Sequence, residues 1–128
     1  MSVVLITGAA KRLGRAIALK LAGAGYDIAI HYRSSKAEAE SLAAEVKAMG
    51  RCVAAIDGDL AQEREVEAVV ARAAGALGPL TALVNSASVF EDDRIETMTR
   101  ASWDRHIETS LRAPLVLSQQ FAKQVPAG

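Results

Sequence analysis

The sequence is poor in several features that mark particular classes of protein. Cys52 is the single cysteine in 128 residues, which excludes an internal disulfide and the usual four-ligand zinc sites. No long run of Lys or Arg occurs and the formal net charge is zero, so we expect neither nucleic acid nor a membrane surface as a partner. The apolar run at residues 3–6 is too short for a membrane span or a secretory signal. These absences predict a cytoplasmic protein that acts on a small molecule.

The apolar residues that are present predict a layered α/β domain. They make up 51% of the chain, which is enough for one packed core. Short β-branched runs alternate with longer helical patterns, as is typical of βαβ units and a parallel sheet. The predicted strands are residues 2–6, 27–32, 52–56 and 81–84, and a last helical region runs from about residue 99 to 125. Because crossovers between parallel strands are right-handed, we predict the strand order 3-2-1-4 of a doubly wound sheet of Rossmann type, with residues 1–128 as one cofactor-binding domain.

Helical periodicity predicts which side chains face this sheet. In the first helix Leu13, Ile17 and Leu21 follow one another at intervals of four. The second helix begins with a capping box from Ser35 to Glu38. The third helix is predicted to turn five apolar residues inward, namely Val66, Val69, Val70, Ala73 and Leu77.

Two glycines follow the first predicted strand, within residues 7–14, Thr-Gly-Ala-Ala-Lys-Arg-Leu-Gly. Glycine permits a tight turn and close approach of the backbone, and the N–H groups at a helix start attract a pyrophosphate. An ordinary strand-to-helix turn would also use two glycines, and the spacing differs from the usual G-x-G-x-x-G. The residues that we predict to bind a cofactor here are Gly8, Lys11, Arg12, Leu13 and Gly14.

The second predicted strand ends where a dinucleotide fold meets the adenosine ribose. An NAD site carries an acid there, which accepts from the 2′-hydroxyl and would repel a 2′-phosphate. No acid lies in residues 28–35, whereas Arg33 offers a guanidinium that can bind a phosphate in bidentate fashion. A solvated turn that caps the next helix would explain the serines, but neither the arginine nor the missing acid. We therefore predict NADP(H) as the cofactor, bound at this strand end by His31, Tyr32, Arg33 and Ser34.

The motif at residues 7–14 resembles the Thr-Gly-x3-Gly-x-Gly fingerprint of the short-chain dehydrogenase/reductase family, and Arg12 in place of the middle glycine is similar to its pteridine reductase branch. The resemblance covers essentially the whole chain as the N-terminal half of such an enzyme. It implies that Asp59, with Leu60, meets the adenine, although Asp59 could simply cap the third helix. Residues 85–88, Asn-Ser-Ala-Ser, resemble a family element that lines the cofactor crevice. From this element we predict Asn85, Ala87 and Ser88 at the site, with Asn85 open to a purely structural role.

The pteridine reductase resemblance also implies a substrate site. Phe90 stands where those enzymes stack a pterin against the nicotinamide, with Arg12 and Ser88 offering hydrogen bonds to its edge. A core position for Phe90 is the alternative.

Residues 103–114 resemble the family segment that ends in Asn-Leu-Arg-Ala-Pro, with Ser110 in place of the Asn. Pro114 has no N–H, so the carbonyl of Ser110 receives no helical hydrogen bond from it. In the family the carbonyl at this position holds a water of the proton relay, which makes Ser110 the one catalytic residue that we predict. A helix that is merely bent by proline, with a hydrated carbonyl, explains the same pattern.

The family's catalytic Tyr-x3-Lys pair is expected beyond Gly128, because the resemblance covers the N-terminal half of such an enzyme and the pair belongs to its second half. The chain is thus expected to be a fragment, or one whose partner is the missing C-terminal half. The resemblance implies an NADPH-dependent reductase of a pterin, a dihydrofolate or a related carbonyl or imine compound, assembled as a homo-oligomer. A non-catalytic dinucleotide-binding or redox-sensing module on the same fold is the alternative, since Ser86 and Ser110 depart from the pattern.

Overall fold

The structure is a computed structural model that describes residues 2–89 and 94–127. Strands and helices alternate along the chain in the order β1 Val3–Ile6, α1 Arg12–Gly23, β2 Asp27–Tyr32, α2 Lys36–Ala48, β3 Val53–Asp57, α3 Glu63–Leu77 and β4 Ala82–Val84. A helical region follows, made of α4 Arg100–Ile107, a π-helical turn Glu108–Arg112 and α5 Ala113–Gln124. The four strands are parallel and lie in the order β3-β2-β1-β4. The predicted fold class and strand order are confirmed.

The sheet is covered on both faces, which explains the unbroken apolar sequence of β1. All four residues of β1 are buried. Val4 and Ile6 pack with Ile28 and Ile30 against α1 and α2, while Val3 and Leu5 pack against α3 and α5 on the other face. The inward residues of α3 are those predicted from its periodicity, with Leu77 half-buried at its end.

The face of α1 that meets the sheet differs from the predicted one. Its buried residues are Gly14, Ala18 and Ala22, whereas Leu13 is 69% exposed. A Cβ atom on Gly14 would lie 2.3 Å from the carbonyl oxygen of Gly8, so the start of α1 rests directly on the preceding turn. The spacing between packed elements depends on the side chains at the contact, and small residues let α1 lie closer than leucines would. Ile17 and Leu21 flank this contact and are half-buried.

The capping box predicted for α2 is wrong in its hydrogen bonds. Ser35 does precede the helix, but its side chain makes no capping hydrogen bond. The helix is held instead by Leu42 and Val46, which are fully buried, while Met49 lies beyond its end and is 44% exposed. Tertiary packing therefore stabilises α2 in place of a local cap.

The last helical region is not one continuous α-helix. It begins at a capping box between Thr99 and Ser102 and widens into the π-helical turn, where the Ala113 N–H donates to the carbonyl of Glu108, five residues earlier. Pro114 lies in the first turn of α5, where its missing N–H is tolerated. Among the helices that the structure describes, none combines the length and apolar character needed to cross a membrane.

Candidate functional site

An open crevice of about 660 Å³ lies at the carboxyl ends of the strands. β1 has β2 on one side and β4 on the other, so the strand order reverses beside it, and ligands of open α/β sheets bind at such a point. The structure brings most of the predicted site residues together here. The predicted residues that line the crevice are Gly8, Lys11, Arg12, Leu13, Gly14, His31, Tyr32, Arg33, Asp59, Leu60, Ala87 and Ser88.

The remaining predicted residues are placed elsewhere. Ser34 and Asn85 are exposed outside the crevice lining, which includes their neighbours Ser35 and Ser86. Ser110 is exposed in the π-helical turn. Phe90 lies outside the described residues. The predicted contacts of these four residues with cofactor or substrate stay predictions.

The crevice is also lined by residues that the motifs did not indicate. Gly58, Ala61 and Gln62 extend the segment after β3 beyond the predicted Asp59 and Leu60. Arg105 and Thr109 reach the crevice from the last helical region. They are four residues apart, so they lie on one face of the helix. This spacing could have predicted that they share a surface, but not that the surface is the crevice.

Backbone geometry shapes the turn between β1 and α1, residues 7–11, which we call the glycine turn. Gly8 has φ +61°, and a Cβ atom on it would lie 2.8 Å from Cα of Ala87, so a side chain would collide with the end of β4. Arg12 has φ +52° and is the single non-glycine residue with positive φ in the part of the chain that the structure describes. A non-glycine residue in this conformation carries a cost of about 1–2 kcal/mol. The backbone at Arg12 thus keeps the positive φ that is typical of glycine, and the family motif has a glycine at this position.

Thr7 ties the ends of β1 and β4 together. Its side chain is buried, and its Oγ1 accepts hydrogen bonds from the N–H groups of Ser86 and Ala87, each at 3.0 Å. The Thr7 N–H donates to the carbonyl of Val84 at 3.0 Å. These three bonds fix the segment after β4 against the glycine turn.

His31 ties the same turn to β3. Its ring is 2% exposed, and its Nδ1 accepts from the N–H of Gly8 at 3.1 Å while its Nε2 donates to the carbonyl of Gly58 at 2.8 Å. Burial lowers the pKa of His31, and the hydrogen bond to Gly58 opposes that effect. The predicted cofactor residue His31 is therefore a buried neutral imidazole behind the turn.

Charged groups of both signs meet at the far end of the crevice. Nε of Arg33 lies 3.8 Å from Oδ1 of Asp59, with the Arg33 side chain 65% exposed. Oδ1 of Asp59 accepts from the N–H of Ala61 at 3.0 Å, and Gln62 rather than Asp59 directly precedes α3, so the capping role considered for Asp59 is wrong. An exposed ion pair of this length is weak, which leaves Arg33 available to a stronger anion.

The acid that ends β3 is engaged away from these groups. Asp57 accepts from Arg72 at 2.7 Å, and the Arg72 guanidinium lowers the pKa of that carboxyl. Within residues 2–89 and 94–127, no three His, Cys, Asp or Glu side chains are grouped so that they could hold a metal ion. The charged residues in the described lining of the crevice are the cations Lys11, Arg12, Arg33 and Arg105 and the acid Asp59. Cations predominate, and this set of donors is suited to phosphates.

Comparison with known proteins agrees with this geometry. The family model for short chain dehydrogenase matches residues 2–128. The chain belongs to the short-chain dehydrogenase family. The resemblance predicted from residues 7–14 and 85–88 is thereby confirmed at the level of the family.

Relatives within the short-chain dehydrogenase family differ in what they act on. A 3-oxoacyl-(acyl-carrier-protein) reductase of Staphylococcus aureus is 36% identical over 121 residues, which are 94% of this chain and 49% of that protein. FolM alternative dihydrofolate reductase 1 from Brucella suis, crystallised with NADP, is 35% identical with a TM-score of 0.92 over 98% of this chain and 52% of its own. A blue fluorescent protein from a metagenomic library, in complex with NADPH, is 35% identical with a TM-score of 0.94 over 98% and 51%. The chain spans about half the length of these relatives.

Proposed function

We propose that the protein containing this chain is an NADP(H)-dependent oxidoreductase and that the crevice described here binds the dinucleotide. The observation that carries the proposal is the charge of the crevice wall. Lys11, Arg12 and Arg33 line it together with one acid, Asp59, and no acid lies in residues 28–35, where an NAD-specific site would carry one. The solved relatives that hold NADP or NADPH support the same cofactor.

The residues of the crevice suit separate parts of the cofactor. The glycine turn and the start of α1 would hold the pyrophosphate, because main-chain N–H groups at a helix start favour anions. Arg33, Ser34 and Arg12 would hold the 2′-phosphate, and Asp59 with Leu60 would meet the adenine. Asn85, Ala87 and Ser88 would line the path toward the nicotinamide. When bound, the nicotinamide supplies the hydride of the reaction, and this chain orients it.

The substrate is proposed to be a pterin, a dihydrofolate or a related small carbonyl or imine compound. The similarity to an alternative dihydrofolate reductase supports a pterin-like substrate, while the 3-oxoacyl reductase supports a carbonyl compound. We propose that Phe90, Arg12 and Ser88 contact the substrate. The backbone carbonyl of Ser110 would hold a water of the proton relay. A homo-oligomeric assembly and a cytoplasmic location stay predictions from the sequence and the resemblance.

A non-catalytic dinucleotide-binding or redox-sensing module is the second candidate. Ser86 and Ser110, which depart from the family's Asn residues, favour it. Both candidates bind a dinucleotide, and turnover distinguishes them. Oxidation of NADPH by the full-length protein in the presence of dihydrobiopterin, dihydrofolate or a 3-oxoacyl thioester would support the enzyme, and binding without turnover would support the module.

Direct titration of the full-length protein with NADPH and NADH tests the cofactor. We expect NADPH to bind at least about tenfold more tightly, which corresponds to about 1.4 kcal/mol. Arg33→Asp should reverse the preference, because it replaces a guanidinium that donates hydrogen bonds to the 2′-phosphate with a carboxylate that accepts from the free ribose hydroxyl. Arg64→Asp, an exposed position on α3 outside the crevice lining, serves as the matched charge control and should leave the preference unchanged. Equal affinities for the two cofactors in the unaltered protein would contradict the proposal.

A further inference from the structure

His31 bonds to three backbone groups in two separate segments from its place near the end of β2. Its ring accepts from the N–H of Gly8 and donates to the carbonyl of Gly58. Its own carbonyl accepts from the N–H of Ala9 at 3.0 Å. Two consecutive N–H groups at the start of the glycine turn are therefore oriented by one residue, and the ring spans from that turn to the segment after β3.

The partners determine where the ring carries its proton. A backbone N–H can only donate and a backbone carbonyl can only accept, so Nδ1 facing Gly8 must be unprotonated and Nε2 facing Gly58 must hold the hydrogen. A doubly protonated ring would direct a second N–H at the N–H of Gly8 and lose that bond. The geometry is thus compatible with the neutral Nε2–H tautomer alone.

The position of Gly8 matters to the rest of the turn. Its Cα lies so close to the end of β4 that an added Cβ would reach within 2.8 Å of Ala87 Cα, and its carbonyl lies beneath Gly14 at the start of α1. If Gly8 were displaced, it would collide with Ala87 or with Gly14. The bond from Gly8 to His31 therefore fixes the point at which β1, β4 and α1 meet.

We propose that His31 is a positioning residue, which as the neutral Nε2–H tautomer holds Gly8 in the conformation that the dinucleotide pyrophosphate requires. This inference rests on the proposed cofactor function, and it assigns His31 a role through Gly8 rather than a contact with the cofactor. The bond from Nδ1 to Gly8 carries the role, and the bond from Nε2 to Gly58 anchors the ring.

The charged groups around the ring act in both directions. Arg72 on α3 lowers the pKa of His31, while Asp57 at the end of β3 and Asp59 in the following segment raise it, and burial outweighs them. Because the folded-state pKa lies below the ordinary value, unfolded chains take up a proton first as the pH falls. Stability is then lost from the ordinary His range downward to the folded-state pKa. Cofactor affinity should fall when the folded ring itself is protonated.

Two variants separate the two bonds of the ring. The amide oxygen of Asn reaches the position of Nδ1, so His31→Asn can still accept from Gly8 but cannot reach Gly58. The amide nitrogen of Gln reaches the position of Nε2, so His31→Gln can donate to Gly58 but leaves Gly8 without its acceptor. Each variant loses one hydrogen bond, which makes the pair matched for stability.

NADPH affinity and melting temperature are measured for the full-length wild type and both variants. We expect His31→Asn to bind NADPH within about threefold of the wild type and His31→Gln to bind it at least about tenfold more weakly, at similar melting temperatures. As the pH falls below the ordinary pKa of His and the folded ring becomes protonated, the wild type should lose more affinity than His31→Asn, in which the same 2′-phosphate titrates but the imidazole is absent. Equal affinities for the two variants would overturn this inference alone. A wild type that binds no NADPH would overturn the proposed function as well.

Discussion

The side chain of Gln124, the last residue of α5, bonds to both backbone groups of Leu80 just before β4. Oε1 accepts from the Leu80 N–H at 2.7 Å, and Nε2 donates to the Leu80 carbonyl at 3.1 Å. The two residues are 44 positions apart in the chain, and Leu80 is fully buried. A side-chain amide thus satisfies a backbone segment that would otherwise need a partner strand, and it fixes the end of α5 against the start of β4.

Gln124→Ala should therefore lower the free energy of unfolding by about 1–3 kcal/mol, because it leaves a donor and an acceptor of Leu80 without partners. Gln119→Ala, at an exposed position of the same helix, is the matched control and should change stability by less than about 0.5 kcal/mol. Denaturant unfolding of the full-length protein measures both variants. Equal losses in the two variants would contradict the role of the amide.

Gly14→Val should destabilise the protein and abolish NADPH binding together. A side chain at this position begins 2.3 Å from the Gly8 carbonyl oxygen, so α1 must move away from the turn that it closes. Gly75→Ala on α3 is the control, because apart from its chain neighbours and the backbone of its own helix no described atom lies within 4 Å of the added Cβ, and the change should stabilise the helix by about 0.5–1 kcal/mol. A Gly14→Val protein with normal melting temperature and normal affinity in calorimetry would sink this account of the turn.

Arg12→Gly should separate stability from binding. Glycine adopts the observed positive φ without the cost that arginine carries, so the free energy of unfolding should rise by up to about 1 kcal/mol. Affinity for NADPH should nevertheless fall about tenfold, because a cation that lines the crevice is lost. Arg12→Lys keeps the charge and the strained backbone, and it should bind NADPH more tightly than Arg12→Gly without the gain in stability. Thermal unfolding and cofactor titration of both variants are the measurements.

Phe90→Ala should reduce turnover of a pterin substrate about tenfold or more and leave NADPH affinity nearly unchanged, because a stacked ring contributes about 1 kcal/mol beyond its area burial. A core phenylalanine would behave differently, since its truncation costs about 3–5 kcal/mol of stability and would weaken both ligands through loss of the fold. Steady-state kinetics together with the melting temperature distinguish the two. A marked drop in melting temperature with parallel losses would place Phe90 in the core.

The strand order and most of the crevice lining could be predicted because they follow from local rules. Strand ends are marked by the change from apolar to polar residues, and the handedness of crossovers then brings residues such as Gly8, Arg33 and Asp59 to one edge. Each of these residues is close in sequence to a recognisable strand. The sequence therefore contained the signal within a few residues of the site.

The contacts that could not be predicted join distant segments or depend on packing distance. Nothing near His31 in the sequence indicates that its ring bonds to Gly8 and Gly58, and nothing near Gln124 points to Leu80. The buried face of α1 was predicted from its large apolar residues, but the close approach of the helix to the sheet selects its small ones. Such outcomes depend on three-dimensional fit, which periodicity alone does not contain.

The π-helical turn Glu108–Arg112 also acts as a phase shift between the two α-helices that flank it. One inserted residue rotates everything that follows by about 100° relative to a continuous α-helix. With this rotation Ala113, Val116 and Leu117 face α3, while Leu115 stays 61% exposed. The turn thereby makes the orientation of α5 independent of that of α4, so that the apolar face of α5 can pack in the core although the two helices are continuous in the chain.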